Sequence, residues 1–312
     1  MLIFTSLVGI NMIIPDKLTK QDLVVIIAPA RKVEIKQLEA AEKLLLDWGL
    51  KTERSPNLML ADGIFAGPDS SRKFDLQWAL DHPKAKAIWC FRGGYGTVRL
   101  IKDLNPALFL KTPKWIIGFS DITVLHSFSN IILNTASIHA TMPINVIENS
   151  PESLKSLKQV LFSASMDYSW NQNQNNRMGE ASAEIIGGNL AVLTSLLGTN
   201  YQSDFEGKIL FIEEIDEYLY NIDRMCWQLK FAGVFNHIKG LVIGHFSKVK
   251  DNKIPFGKSL QQIILEKTKE FDFPIAFGFP AGHENQNHSL VFGLKAKLSV
   301  NKKESELISL NT

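Results

Sequence analysis

The chain has 312 residues, of which 45% are hydrophobic and 21% are charged, and its formal net charge is +2. This composition is typical of a globular protein with a core of normal size, and the length predicts two domains. Because the basic residues are dispersed, no basic stripe indicates a nucleic acid or a membrane surface as a partner.

The two cysteines and the N-terminal segment indicate the cellular compartment in which we expect the protein. Cys90 and Cys226 lie far apart in apolar runs, which predicts two buried thiols in a reducing compartment and not a disulfide framework. Residues 1–11 have no basic residue before the apolar stretch and no small-residue cleavage site after it. We interpret them as a frayed extension, with Met12 as an alternative start, and expect a soluble cytoplasmic protein.

The elements of the first half alternate between strands and helices. The pattern predicts strands at 23–28, 85–89 and 114–119, and helices at 33–48, 70–80, 97–104 and 121–133. The helix at 70–80 is expected to be capped by Asp69 or Ser70. Repeated β-α units predict a mostly parallel sheet flanked by helices, in a flavodoxin-like arrangement.

A polar stretch separates this half from a less regular one. A helix is predicted at 150–161, and the run Asn171-Gln-Asn-Gln-Asn-Asn that follows has the composition of a loop. We therefore predict an N-terminal α/β domain over 12–163, a linker over 164–183 and a C-terminal α+β domain with mixed strands over 184–312. In the last, helices are expected at 189–197, 222–232 and 260–271, and strands at 208–212, 241–245, 290–292 and 295–300.

Ser120 is the strongest local signal for chemistry. It occupies the turn between an apolar strand and a helix, in Gly118-Phe-Ser120-Asp-Ile. Such a turn exposes the hydroxyl at the carboxyl edge of the sheet and directs free helix N–H groups towards it. The segment lacks the second glycine of a G-x-S-x-G elbow. On local evidence the favoured interpretation is a helix N-cap, which is the commonest role of a serine in this position.

The segment Arg92-Gly93-Gly94-Tyr-Gly follows the preceding strand. Glycines allow close backbone approach, so an N–H from this turn could complete an oxyanion hole. The alternatives are a tight turn or a phosphate cradle, although the spacing fits neither G-x-G-x-x-G nor the Walker pattern.

A nucleophilic serine requires a base and a group that orients the base. Of seven histidines, His283 and His288 lie in one glycine-rich loop, and spacing alone does not decide between them. The acidic run from Glu213 to Glu217 directly follows a predicted strand and could orient an imidazole. It could also be a solvated turn. A metal site of these carboxylates with His283 has no recognisable ligand spacing.

Six segments in register resemble the LD-carboxypeptidase family, serine peptidases that include muramoyltetrapeptide carboxypeptidase and the microcin C self-immunity peptidases. The segments are Arg92-Gly-Gly-Tyr-Gly, Gly118-Phe-Ser-Asp, Gly187-Gly-Asn-Leu, Ile212-Glu-Glu-x-x-Glu217, Ile222-Asp-Arg-Met, and Gly282-His with Asn287. The whole match runs from about residue 24 to 300.

The resemblance implies roles for individual residues. Ser120 takes the place of the nucleophile, Glu213 that of the orienting carboxylate and His283 that of the base. The oxyanion hole would be formed by backbone N–H groups of Asp121 and of the Gly93–Gly94 turn. Weaker expectations for substrate binding fall on Arg92, Asn189 and Glu217. Glu214 stands where the family often has aspartate, which leaves Glu213 in place.

The implied reaction is hydrolysis of an L,D-peptide bond, releasing C-terminal D-alanine from murein tetrapeptides, without a metal or organic cofactor. Family members are commonly homodimers. One alternative is a self-immunity peptidase that cleaves a peptidyl-nucleotide or aminoacyl-nucleotide amide. In such an enzyme, Trp170 could stack on the nucleobase of the substrate. Another is a non-catalytic module that holds a small anion.

Overall fold

The computed structural model describes residues 12–310, so the expectations for residues 1–11 lie outside the described part. Its strands are β1 (Leu23–Ile27), β2 (Lys51–Arg54), β3 (Ala85–Cys90), β4 (Trp115–Gly118), β5 (Ser137–His139), β6 (Asp167–Asn171), β7 (Gly179–Asn189), β8 (Ile209–Ile215), β9 (Gly240–Ser247), β10 (Ile275–Phe277), β11 (Leu290–Phe292), β12 (Lys295–Val300) and β13 (Glu304–Ser309). Its helices are α1 (Ile35–Asp47), α2 (Asp69–Asp81), α3 (Thr123–Ile131), α4 (Pro151–Ser163), α5 (Leu190–Ser195), α6 (Leu219–Phe231), α7 (Val234–His237) and α8 (Leu260–Lys267).

The first sheet has six strands in the order β11-β5-β4-β3-β1-β2. Its five N-terminal strands run parallel, and β11 pairs antiparallel with β5. Apolar runs such as that of β4, buried at every position, suit a sheet covered on both faces. The predicted α/β architecture is confirmed, and the ends of β1, β3 and β4 lie at one edge.

The second sheet has seven strands in the order β10-β9-β8-β7-β12-β13-β6. Strands β7 to β10 pair in parallel, whereas β12, β13 and β6 pair antiparallel, so the predicted mixture of strand directions is confirmed. The pairing of β8 with β9 shifts register between Ile212 and Glu214, where Gly244 and His245 of β9 stand opposite the single residue Glu213, so the bulge lies in β9. Bulges of this kind redirect side chains next to functional sites.

Half of the segment predicted as a linker, 164–183, lies in β6 and the start of β7, because its alternating residues pair with late strands that no local pattern reveals, and the division into domains stays a prediction. Two local predictions are wrong. The helix predicted at 97–104 is a single 3-10 turn, Thr97–Arg99. The residue that precedes α2 as its N-cap is Pro68, and no side chain caps this helix.

A continuous apolar core joins the two sheets. One cluster of buried residues contains Trp89 and Ile117 of the first sheet together with Phe211 and Leu298 of the second. The strand β11, from the predicted C-terminal domain, completes the first sheet. No helix within residues 12–310 combines the length and the apolar character needed to cross a membrane.

Candidate active site

Ser120 begins a 3-10 turn, Ser120–Ile122, that joins β4 to α3. Its φ of +64° is in the left-handed region, which a residue with a side chain rarely adopts. Neither this turn nor α3 has a side-chain cap, so the N-cap interpretation of Ser120 is wrong. The side chain is partly exposed, and Oγ forms no hydrogen bond to any residue between 12 and 310. A strained backbone thus presents a free hydroxyl at the sheet edge.

The turn at Gly93 packs directly against this serine. An ideal Cβ on Gly93 would lie 3.1 Å from the backbone N of Asp121 and 3.3 Å from Ser120 Oγ. A side chain here would cover both the hydroxyl and the N–H beside it. The absence of a side chain at Gly93 therefore leaves space next to a backbone donor, as an oxyanion site requires.

The Asp121 side chain fastens the two loops together. Its Oδ2 accepts hydrogen bonds from the backbone N of Thr97, at 3.0 Å, and from Thr97 Oγ1, at 2.7 Å. Burial raises the pKa of Asp121, while these bonds and the charges of Arg72 and Arg31 act in the opposite direction. The carboxyl thus holds the glycine-rich loop next to the turn at Ser120.

Glu213 and His283 form a hydrogen-bonded pair. His283 Nδ1 lies 2.7 Å from Glu213 Oε2, and the Glu213 side chain is completely buried. Because a carboxylate only accepts hydrogen bonds, Nδ1 carries the proton, and Nε2 of the neutral ring is free to accept one. This is the tautomer that a general base beside a nucleophile needs.

The surroundings of His283 keep it close to the turn at Ser120 and raise its pKa. Its ring meets that of Phe119, the residue before Ser120, edge-on at a centroid distance of 4.9 Å. Burial lowers the pKa of His283, but attraction to Glu213 and the hydrogen bond to it, aided by Glu214 and Glu284, outweigh burial and raise the pKa above 6.5. The contact with Phe119 was not foreseen, because the strand pattern shows burial and not the partner.

The loop that carries His283 is shaped to approach Glu213. Gly282 has φ +128°, and an ideal Cβ there would lie 3.2 Å from Glu213 Oε2. Its backbone N donates to Asn287 Oδ1 at 3.0 Å, and the backbone N of Asn287 donates to Ser153 Oγ at 2.7 Å. The loop is therefore closed by a bond of its own and fastened to α4.

The structure separates His283 from the other histidines. The His288 ring lies 5.2 Å from that of Tyr168, and its nitrogens have no hydrogen-bond partner within residues 12–310. His126 is buried, with Nε2 2.9 Å from Gly118 O and Nδ1 2.9 Å from Ser137 Oγ. His82, His139, His237 and His245 likewise make no hydrogen bond to Glu213.

The three weaker candidates have partners of their own. Arg92 pairs with Glu34 at 2.9 Å. Asn189 caps α5 by accepting from the backbone N of Val192. The Glu217 carboxylate accepts from the backbone N of Tyr218, at 2.8 Å, and from Asn221 Nδ2 of α6, at 2.6 Å. Substrate binding by these residues stays a prediction.

Glu214 has a positioning role that the sequence did not indicate. Its Oε1 accepts from Asn189 Nδ2 at 2.8 Å, and its Oε2 accepts from the backbone N of Ala191 at 2.8 Å. Burial raises its pKa, with Glu213 adding to the rise and the hydrogen bonds opposing it. The side chain links β8 to the start of α5. Among residues 12–310, no group of three or more His, Cys, Asp or Glu side chains is arranged to hold a metal ion.

The chain belongs to the LD-carboxypeptidase family. Residues 24–140 match the model of the LD-carboxypeptidase N-terminal domain, and residues 182–298 match that of the C-terminal domain. The family is that of the S66 peptidases, so the protein belongs to a class of hydrolases that process peptides.

Individual relatives agree with this assignment. A Bacillus subtilis (strain 168) protein named "Probable murein peptide carboxypeptidase" is 33% identical over 93% of this chain and 92% of its own length. The crystal structure of muramoyltetrapeptide carboxypeptidase from Oxalobacter formigenes is 27% identical with a TM-score of 0.84, covering 93% of this chain and 99% of that one. An MccF-like protein from Bacillus anthracis str. Ames is 26% identical with a TM-score of 0.84, covering 96% and 100%.

Proposed function

We propose that this protein is a cytoplasmic serine-type carboxypeptidase that removes C-terminal D-alanine from murein tetrapeptides by hydrolysing an L,D-peptide bond. The observation that carries the proposal is the 2.7 Å hydrogen bond between His283 and Glu213, with the His283 ring against Phe119, next to Ser120. The names of the relatives support the substrate class.

In the proposed mechanism, Ser120 Oγ attacks the scissile carbonyl while His283 Nε2 takes the hydroxyl proton. The negative charge on the carbonyl oxygen would be stabilised by N–H groups of Asp121 and of the Gly93–Gly94 turn. The imidazolium, stabilised by Glu213, then donates its proton to the departing amine, and water hydrolyses the acyl-enzyme by the same route in reverse. We expect a homodimer and no requirement for a metal, so that activity survives EDTA.

Product analysis tests this proposal. A murein tetrapeptide incubated with wild type should yield tripeptide and free D-alanine by mass spectrometry, and Ser120→Ala should yield neither. Ser195→Ala is the matched control, since Ser195 is an exposed serine whose hydroxyl bonds only to its own helix. Turnover that persists in Ser120→Ala, or a failure of an active-site serine probe to label Ser120, would contradict the assignment.

The second candidate is a self-immunity peptidase that cleaves a peptidyl-nucleotide amide, which the resemblance to the MccF-like structure supports. The residue suggested to stack on the nucleobase, Trp170, makes its contacts within the protein. Trp170 Nε1 donates to Phe277 O at 3.0 Å, and its ring packs edge-on against Phe279. Trp170 therefore anchors β6 to the core, which favours the murein peptide as substrate. Comparing turnover of the tetrapeptide with that of a peptidyl-nucleotide separates the two candidates.

A further inference from the structure

The carboxyl ends of β1, β3 and β4 lie side by side at the edge that carries Ser120. Each end extends into a loop: Ser120 follows β4, Gly93–Gly94 follows β3, and Arg31 follows β1. Arg31 is held there by its neighbours, because Lys32 N donates to Ile64 O at 3.2 Å. The Arg31 side chain is exposed.

Arg31 lies directly over the glycine turn. An ideal Cβ on Gly94 would be 2.6 Å from Arg31 Cδ and closer still to its Nε. The glycine before it, Gly93, is the one whose ideal Cβ lies 3.3 Å from Ser120 Oγ. The guanidinium is thus near the nucleophile, and its charge reaches Asp121, the residue after it.

The other arginines at this edge already have acidic partners. Arg92 pairs with Glu34, Arg99 pairs with Asp69 at 2.6 Å, and the buried Arg72 bonds to Asp69 and to the carbonyl oxygen of Gly67. Within residues 12–310, Arg31 forms no ion pair and no hydrogen bond through its guanidinium. It is therefore a permanent positive charge without a partner in the described part of the chain, in a group suited to bidentate binding of a carboxylate.

We propose that Arg31 binds the C-terminal carboxylate of the peptide and gives the enzyme its preference for a free C-terminus. The assignment rests on the proposed function, because a carboxypeptidase substrate carries this carboxylate one residue beyond the scissile carbonyl. That separation is roughly 4 Å, so a carbonyl held at Ser120 brings the carboxylate to the glycine turn that Arg31 crosses.

The test compares a murein tetrapeptide with its C-terminal amide as substrates. Wild type should prefer the free acid. Arg31→Gln should lower kcat/KM for the acid by about 10- to 100-fold and leave that for the amide within about 2-fold. Arg31→Lys, which keeps the charge and loses the planar fork, should lie between. Arg99→Gln is the matched control and should retain the wild-type ratio of acid to amide.

Three outcomes would overturn the assignment. An unchanged ratio of acid to amide in Arg31→Gln would show that Arg31 does not read the carboxylate, while turnover by wild type would leave the proposed function standing. Labelling of Ser120 by a fluorophosphonate, which has no carboxylate, should match wild type in Arg31→Gln, and a loss of labelling would indicate damage to the nucleophile instead. Absence of turnover of both peptides by wild type would remove the proposed function and this assignment with it.

Discussion

Thr123 Oγ1 accepts a hydrogen bond from the backbone N of Asn189 at 3.0 Å. Thr123 is the first residue of α3, three positions after Ser120, and Asn189 is the last residue of β7, opposite Glu213 in the parallel pairing with β8. This bond therefore joins the element that follows the proposed nucleophile to the strand beside the proposed orienting carboxylate. Both residues are buried.

Thr123→Val should weaken this junction. Valine keeps the shape of threonine but leaves the buried Asn189 N–H without an acceptor, which costs about 1–3 kcal/mol in the free energy of unfolding. Thr123→Ser retains the oxygen and is the matched control. It should lower the free energy of unfolding by less than Thr123→Val does. Urea unfolding measures both, and equal losses for valine and serine would show that packing matters here and not the hydrogen bond.

Glu213→Gln should lower the rate and move the pH profile. Glu213 raises the pKa of His283, so removing its charge lets burial lower that pKa. Since the neutral ring is the base, the acid limb of kcat/KM should shift to lower pH. The plateau should fall by about 10³- to 10⁴-fold, because the tautomer and the imidazolium lose their partner. Glu284→Gln, a change at an exposed loop residue, should shift the limb slightly and keep the plateau. An unmoved limb in Glu213→Gln would contradict the pairing as a source of the raised pKa.

His283→Ala and His288→Ala test the choice of base. The first should abolish turnover, whereas the second should keep it within about 3-fold per folded molecule, since His288 packs on Tyr168 and not on Glu213. Circular dichroism of both variants checks that each is folded. The reverse pattern of activities would show that the wrong histidine of this loop has been assigned.

His126 should make stability depend on pH. Burial lowers the pKa of His126 to about 4, against an ordinary value of 6.5, while the hydrogen bond to Gly118 opposes the shift. Between about pH 4 and pH 6.5, His126 is therefore protonated in the unfolded chain but neutral in the folded chain. The neutral His126 thus contributes up to about 3 kcal/mol to the free energy of unfolding above pH 6.5, and this contribution is lost as the pH falls towards 4.

His126→Gln isolates this contribution, because glutamine does not titrate. It should be less stable than wild type at pH 7, yet its free energy of unfolding should fall less steeply between pH 6.5 and 4. Other buried histidines, such as His139, make the free energy of unfolding fall with falling pH in both proteins. A slope equal to that of wild type would mean that His126 is protonated in the folded state or is exposed.

Much of the architecture could be predicted from the sequence, because its signals are local. Buried apolar runs such as that of β3, and helical periodicity such as that of α1, depend on neighbouring residues alone. The glycine turn at Gly93 and the strand–turn–helix at Ser120 are likewise short-range patterns. Six strands, β2, β5, β6, β7, β10 and β13, escaped prediction. β5 and β10 have only three residues each, and the others are exposed along part of their length and obtain their order from pairing with distant strands.

The sequence by itself determined the family, through six short motifs in a fixed order, and it nominated Ser120, Glu213 and His283 as separate candidates. Only the tertiary structure decided that Ser120 caps no helix, that His283 and not His288 bonds to Glu213, and that Arg31 crosses the glycine turn without a partner among residues 12–310. The physical reason is distance along the chain. His283 and Glu213 are 70 residues apart, and only the packing of two sheets around one core brings such positions within a hydrogen bond of each other.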